Sequence, residues 1–293
     1  MRTSFYAALA GAVVLGLTAS PAFAQDGMAQ EVTADAPFSG LYIGAAGGYD
    51  VQPNDVGSSI LFDRNLDGRF GDSVTTAAGA NAFSPGFCNG STRATTLAGG
   101  RGCRNDDNGF AYYGRVGLDA QRGNIVVGVV GEFGKTEISD SVTAFSTTPA
   151  SYVMTRSVDW EASIRGRAGY AINTTLFYGT FGAGYAKIDR EFFSTNTGNA
   201  YALNGKRQQF GILGGGGIEQ KLGKNISVGM EYMFHQYQDD DARVLVTRGT
   251  QPATNPFVLA PNTAGTDFRR SDDKFRWHSL RATAAFRFYV QGV

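Results

Sequence analysis

One acidic stretch of the sequence has the spacing of oxygen ligands for a calcium ion. Oxygen-bearing residues stand at alternate positions and Gly68 follows them, which lets the chain turn sharply. Val74 replaces the glutamate usual at the twelfth position. The hypothesis is a weak calcium site whose ligands are Asp63, Asn65, Asp67, the carbonyl oxygen of Arg69, and Asp72. The alternative is a polar turn that needs no metal, and no other cofactor is expected.

The two cysteines, Cys88 and Cys103, lie in one long polar stretch. Because the N terminus marks the chain for export, a disulfide is favoured over a metal site or a reactive thiol. Closing a loop of about 15 residues stabilises a protein by roughly 3 kcal/mol in the entropy model. We expect the disulfide to stabilise a loop that has no core of its own.

Nucleophilic catalysis would need a serine, a histidine and an acid that converge. The two histidines are His235 and His278, and Ser279 directly follows His278. Neighbouring residues of a strand point to opposite faces, so this pair cannot form a relay. We interpret His235, near the outer end of its strand, as an interfacial residue. The sequence therefore predicts no enzyme, with a lipid-modifying enzyme as a distant alternative.

The clearest structural element runs from residue 159 to residue 189. Apolar and charged residues alternate along its first half, which is a β pattern. One face of the predicted strand carries Trp160, Ala162, Ile164, Ala168 and Tyr170. The opposite face carries Glu161, Ser163, Arg165 and Arg167. An apolar band with a charged opposite face favours a membrane barrel, whose outside is apolar and whose interior is polar.

Residues 159–189 are predicted to form two strands joined by a short turn, and six further segments show the same alternation. The predicted strands are residues 38–50, 109–121, 125–138, 159–172, 175–189, 207–222, 226–238 and 274–290. Long polar loops (residues 51–108, 139–157, 190–206 and 239–273) alternate with turns of two or three residues. This order predicts an all-β fold, an eight-stranded antiparallel transmembrane up-and-down β-barrel with long extracellular loops and short periplasmic turns.

Ten charged residues share the inward parity of these strands. An eight-stranded barrel is just wide enough for side chains to fill it, so these charges should pair and plug it. The alternative is the lining of a narrow pore, because inward glycines (Gly117, Gly128, Gly182 and Gly215) would leave room for water. The charged set is Arg115, Asp119, Glu132, Glu161, Arg165, Arg167, Glu219, Glu231, Arg281 and Arg287.

Aromatic residues recur near the strand ends. Barrels carry aromatic girdles where the membrane meets water, so we interpret these residues as interface anchors. The set is Tyr42, Trp160, Tyr185, Tyr237, Trp277 and Tyr289.

The first 24 residues have the pattern of a cleaved signal peptide. Arg2 precedes a short apolar core at residues 8–17, and a small-x-small site ends at Ala24. Residues 25–37 are then a polar periplasmic lead-in, and residues 38–293 are the barrel. The formal net charge is zero and no basic stripe is present, which argues against nucleic acid as a partner.

Three segments resemble the small porin-like outer-membrane proteins of Gram-negative bacteria, the immunogenic or opacity-type surface proteins. They are residues 38–44 (FSGLYIG), residues 163–170 (SIRGRAGY) and residues 214–234 (GGGGIEQKLGKNISVGMEYMF). The resemblance implies an eight-stranded barrel in the outer membrane with its N terminus in the periplasm. It also implies contact with the barrel-assembly machinery, although here four residues follow Phe288-Tyr289, where family members commonly end in an aromatic residue.

Two functional hypotheses follow from these patterns. The first is a surface barrel with a structural or adhesive role and a largely plugged lumen. The second is a narrow porin for small solutes. The expected partners are membrane lipid and lipopolysaccharide, with an extracellular ligand or a host surface as a further possibility for the long loops.

Overall fold

The computed structural model describes residues 37–52, 58–97 and 102–288. The expected signal peptide, residues 25–36 of the lead-in, and Tyr289 with the residues after it lie outside the described residues. Within the described part, no helix is both long enough and apolar enough to cross a membrane.

Eight long strands form a closed antiparallel barrel, as the sequence predicts. The barrel strands are β1 (Gly40–Val51), β4 (Gly109–Arg122), β5 (Ile125–Thr136), β7 (Ala150–Ile172), β8 (Thr175–Ser194), β10 (Gln208–Lys221), β11 (Ile226–Gln238) and β14 (Lys274–Phe288). Each strand pairs with two neighbours, and the pairing of β7 with β8 closes the ring, whose order is β7-β5-β4-β1-β14-β11-β10-β8. The remaining strands are β2 (Ile60–Asp63), β3 (Gly86–Asn89), β6 (Ser139–Ser146), β9 (Ala200–Asn204), β12 (Arg243–Thr247) and β13 (Thr266–Arg270).

The barrel is apolar outside and polar inside. On β4, Val116 and Leu118 are 50% and 52% exposed, whereas Arg115 and Asp119 on the opposite parity are 7% and 2% exposed. Exposing aliphatic groups and burying charges reverses the arrangement of a soluble protein and matches a barrel surrounded by lipid.

Short turns and long connections lie at opposite rims. Asn173 and Gly123 adopt left-handed backbone conformations, with φ of 52° and 58°, in two of the tight turns. Such conformations allow strands to reverse within two residues. In outer-membrane barrels the short turns face the periplasm, so the long connections face outward.

The long connections, which the sequence predicted to be polar loops, contain strands of their own. Four of their strands form a separate sheet in the order β2-β13-β12-β9, while β6 pairs with β7 and β3 pairs with β6. Strand β7 begins nine residues earlier than residue 159, and β8 continues to Ser194. We call the resulting structure the outer module (residues 58–97, 102–108, 137–158, 188–207 and 239–273).

Buried aromatic side chains hold the outer module together. The ring of Phe268, which is 0% exposed, lies 4.9 Å from the ring of Phe62 and 5.4 Å from that of Phe257. Phe62 and Phe83 are stacked at 4.4 Å. The expectation of a loop without a core was wrong because these residues come from different connections and form a core only together.

The disulfide between Cys88 and Cys103 is present, as predicted. Cys88 lies on β3, opposite Thr143 of β6. The bond therefore ties the end of the first connection to β3, which pairs with β6.

Ion pairs surround the junction at which β7 passes from the barrel into the outer module. Arg156 on β7 contacts Asp140 at 2.6 Å, Asp239 at 3.1 Å and Asp272 at 3.1 Å. Arg270 on β13 contacts Asp140 at 2.6 Å. Burial opposes ionisation of Asp140, but the guanidinium groups of Arg156 and Arg270 outweigh it and lower the pKa of this carboxyl.

Replacing Asp140 should loosen this junction. Asp140→Asn leaves two buried guanidinium groups without their shared partner, so we expect a loss of about 3–5 kcal/mol in the stability of the outer module. Amide hydrogen exchange that accelerates in β6 and β13, but not in the barrel, would report it. Asp107→Asn is the control, because its ion pair with Arg104 is exposed and should contribute little.

The same carboxyl gives the junction a pH dependence. Its pKa is lower in the folded protein than in the unfolded chain, so its stabilisation is complete above about pH 4 and is lost as the pH falls through the lower folded value. Asp140→Asn should remove this part of the acid sensitivity, and an unchanged acid profile would contradict the assignment.

Candidate functional site: the charged barrel interior

Two glutamates and three arginines form an ion-pair layer in the middle of the barrel. Glu132 on β5 lies 3.1 Å from Arg115, 2.7 Å from Arg165 and 3.1 Å from Arg281. Glu231 on β11 lies 3.2 Å, 3.6 Å and 2.8 Å from the same three arginines. Each arginine thus has both glutamates as partners, and all five side chains are at most 3% exposed. The layer spans the lumen from one wall to the other.

The strand register explains how this layer forms. Arg115 stands directly opposite Glu132 in the β4–β5 pair, and Glu231 opposite Arg281 in the β11–β14 pair. Opposite charges at facing positions of neighbouring strands stabilise that register. Arg165 comes from β7, where it contacts Glu132 on the neighbouring strand β5 and Glu231 across the interior.

A second ion-pair layer lies nearer the short turns. Arg167 contacts Glu219 at 2.6 Å and Asp119 at 3.6 Å. Arg287 contacts Glu219 at 2.7 Å and Asp119 at 2.9 Å. Arg287 also donates a hydrogen bond to the carbonyl oxygen of Phe38 at 2.7 Å. The beginning of the barrel domain is thereby fixed to its last strand.

The inward glycines do not leave room for water, contrary to the pore hypothesis. A Cβ at Gly117 would overlap the ring of Tyr42, and one at Gly128 would overlap the carboxylate of Asp119. A Cβ at Gly182 would meet the backbone and side chain of Arg165. At Gly215 it would meet the backbone and sulfur of Met233. The glycines let large side chains of neighbouring strands fold over them, so they help to fill the lumen.

Glu161 is the one residue of the predicted charged set that belongs to neither layer. It lies in a separate polar group nearer the outer end of the barrel. Its carboxylate lies 3.1 Å from Nδ1 of His235, within hydrogen-bond distance. The hydroxyl of Tyr113 donates to the same carboxylate at 3.5 Å. Ser279 donates to the buried carboxylate of Asp50 on the neighbouring strand. His278 is on the outer side of β14, where it contacts the hydroxyl of Tyr232 at 2.6 Å.

The sequence missed several of these interior residues. His235 is 0% exposed and lies inside the barrel, so its interpretation as an interfacial residue was wrong. Tyr42, Tyr237 and Trp277 are also buried, at 1%, 0% and 0% exposed, so they are not interface anchors. Strand alternation could have placed these residues inside. His235 lies on the same face of its strand as Glu231, and Tyr42 lies on the same face as Gly44.

Aromatic side chains close the outer end of the lumen. Trp277 stacks on His235 at 4.7 Å and on Tyr237 at 5.5 Å. Phe275 packs beside it, and the guanidinium carbon of Arg156 lies 4.8 Å from the Phe275 ring centre. The ion pairs of the outer module thus continue directly from this aromatic layer. Of the aromatic residues predicted as interface anchors, Trp160 and Tyr185 contact each other on the outside of the barrel, with ring centres 5.8 Å apart.

The predicted calcium ligands lie in one turn of the outer module, where their oxygens accept backbone hydrogen bonds. Asp63 accepts from the amides of Asp67 at 3.2 Å and Gly68 at 2.8 Å. Asp67 accepts from the amide of Arg69 at 2.8 Å, and Asp72 from that of Arg64 at 2.9 Å. Asn65 accepts from the amide of Asp67 at 3.1 Å. This pattern is that of the polar-turn alternative.

Within the described residues, no group of three or more His, Cys, Asp or Glu side chains is arranged to hold a metal ion. The calcium hypothesis stays a prediction.

Comparison with known proteins finds similarity to an outer-membrane protein over part of the chain. No family model matches it. It is 30% identical over 138 residues to a 22 kDa outer membrane protein of Rhizobium leguminosarum bv. viciae, a match that covers 46% of this chain and 57% of that protein. The chain thus spans little more than half the length of this curated relative.

Two solved structures are similar in fold at low scores. One is Ail, the attachment invasion locus protein of Yersinia pestis, in complex with the heparin analogue sucrose octasulfate. It has a TM-score of 0.33 and 13% identity, over 85% of this chain and 99% of that one. The other is the outer membrane protease OmpT of Escherichia coli, with a TM-score of 0.39 and 11% identity, over 87% and 98%. Neither likeness is close enough to bear on function.

The class of the protein follows from its own architecture and the relative. A closed eight-stranded antiparallel barrel with an apolar outside, a charged interior and long connections at one rim is an outer-membrane β-barrel. The chain is therefore an outer-membrane β-barrel protein.

A thermal comparison tests the calcium hypothesis. If the turn at residues 63–72 binds calcium at about millimolar concentration, as extracellular modules do, calcium should raise the melting temperature of the outer module relative to chelator. Asp67→Asn should abolish the difference. Equal melting temperatures with calcium and with chelator would contradict the hypothesis.

Proposed function

We propose that this protein is a closed barrel that acts at the cell surface, in a structural or adhesive role, and does not conduct solutes. The observation that carries the proposal is the ion-pair layer of Glu132 and Glu231 with three arginines, which crosses the lumen completely. A solute would have to separate buried charges whose desolvation is compensated only by one another.

The remaining layers support the same conclusion. The second ion-pair layer and the aromatic layer around Trp277 also lie inside the barrel, and the junction at Arg156 adjoins the aromatic layer. A pore would need every one of these layers to open. The outer module extends from β7 and β8 at the outer end of the barrel and supplies a folded surface to the outside.

The narrow porin is the alternative, and one observation favours some water inside. Nε2 of His235 and Nε1 of Trp277 are buried and have no hydrogen-bond partner among the described residues. Buried polar atoms of this kind are commonly bonded to ordered water. Such water would lie between the aromatic layer and the central ion pairs, and a continuous column would require those layers to separate.

Single-channel recording distinguishes the two functions. We expect the refolded protein in a planar bilayer to show no steady conductance. Glu231→Gln and Arg165→Gln should stay closed as well, because the second layer and the aromatic layer remain. Phe181→Leu on the lipid-facing side is the matched control. A reproducible conductance of the unaltered protein, changed by either interior variant and not by the control, would establish the pore instead.

A further inference from the structure

Two arginines of the outer module stand side by side without a carboxylate partner. Strand β12 pairs with β13 so that Val244 faces Phe268 and Leu245 faces Asp267. One step further in the same register brings Arg243 opposite Arg269. No carboxylate of the described residues lies within ion-pair distance of either guanidinium, although ion pairs are frequent elsewhere in the module.

This juxtaposition violates a local rule of sheet stability. Like charges at facing positions of neighbouring strands destabilise the pair. Asp267 faces Leu245, and it forms no ion pair with either arginine among the described residues. Nε of Arg269 is buried and has no partner among the described residues. Places where a local rule fails without compensation are expected at functional sites.

An aromatic ring holds the two guanidinium groups together. Their Cζ atoms lie 5.1 Å (Arg243) and 4.7 Å (Arg269) from the centre of the Phe70 ring. A guanidinium that stacks on a ring keeps its in-plane N–H donors free for bidentate bonds to oxyanions. The ring thereby fixes the orientation of both donor groups in the absence of a ligand.

The turn that carries Phe70 is the acidic turn with calcium-like spacing. Before Phe70, the side chain of Asp67 accepts from the amide of Arg69. After it, the amides of Gly71 and Asp72 both donate to the carbonyl oxygen of Phe62 at 2.9 Å. The aspartates and the glycine of this motif therefore have a role that needs no metal, which is to position Phe70 beside the arginines.

We propose that Arg243 and Arg269, oriented by Phe70, bind an oxyanion of the sulfate or phosphate type that belongs to an anionic polymer outside the cell. Paired guanidinium forks match the oxygens of these groups. The site is a half-buried part of a sheet surface, so a free ion should bind weakly, and a polymer that offers many such groups should bind more tightly. The inference rests on the proposed surface role only because the ligand must arrive from outside.

Binding to dextran sulfate tests the proposal. The full mature protein, refolded in an uncharged detergent, is immobilised and its affinity for dextran sulfate is compared with that for neutral dextran. We expect dextran sulfate alone to bind, more weakly as salt rises. In Arg243→Gln/Arg269→Gln the affinity should fall about tenfold or more, as expected when two charge-assisted contacts are lost. Phe70→Leu, which keeps an apolar side chain but removes the stacking, should have a smaller effect in the same direction.

Controls separate this site from general attraction between charges. Arg104→Gln removes an exposed arginine of the outer module that is already paired with Asp107, so its affinity should stay within about twofold of the unaltered protein. Inorganic phosphate should compete for the site only at high concentration. Equal binding by the double variant and the unaltered protein, or no binding by the unaltered protein, would overturn the proposal. A failure here would leave the conductance test of closure unaffected.

Discussion

Pairing of buried charge is the constraint on which the rest of this structure depends. Five arginines and the carboxylates that face them occupy a lumen just wide enough to be filled by side chains, where an unpaired charge would be costly. Glu132 and Glu231 stand on strands that are distant in the ring, yet they share the same three arginines. A shift of one residue in any strand would turn its charges to the lipid and leave their partners unpaired, so the pairing also determines the register.

The same principle extends beyond the membrane. Arg156 lies against the Phe275 ring at the outer end of the lumen and contacts three aspartates, and through Asp140 it is connected to Arg270 of the outer sheet. The ion pairs of the outer module are therefore joined to the barrel where Arg156 lies against Phe275. Since β7 and β8 each extend from the short turns into the module, with one register shift between Val158 and Trp160, the two parts also share backbone structure.

The barrel could be predicted from the sequence because the patterns that specify its strands lie within short segments of the chain. Alternation along each strand and the order of long and short connections depend on residues close together in the chain, and Arg165, Glu231 and Arg281 could be placed inward by parity alone. The outer module could not be predicted in this way. Phe62, Tyr152 and Phe268 come from three connections and form a core only when the barrel brings them together.

Position along the barrel axis was a second source of error. Trp277 and Tyr237 were interpreted as interface anchors because they stand near strand ends, but their parity points inward and the strands continue past them into the outer module. The inward glycines were expected to open the lumen. Whether a glycine leaves space depends on its neighbour across the strand, and the position of Tyr42 over Gly117 depends on the register of β1 with β4.

The most direct test of a sealed lumen is the reactivity of a thiol placed between its two ion-pair layers. Thr283 faces the interior of β14 between Arg281 and Arg287 and is 9% exposed. In the folded Thr283→Cys variant we expect no reaction with a small charged thiol reagent, whereas an exposed control, Asp240→Cys, reacts fully. Rapid modification of the folded Thr283→Cys protein would show that water and ions reach the middle of the barrel, and would contradict the account.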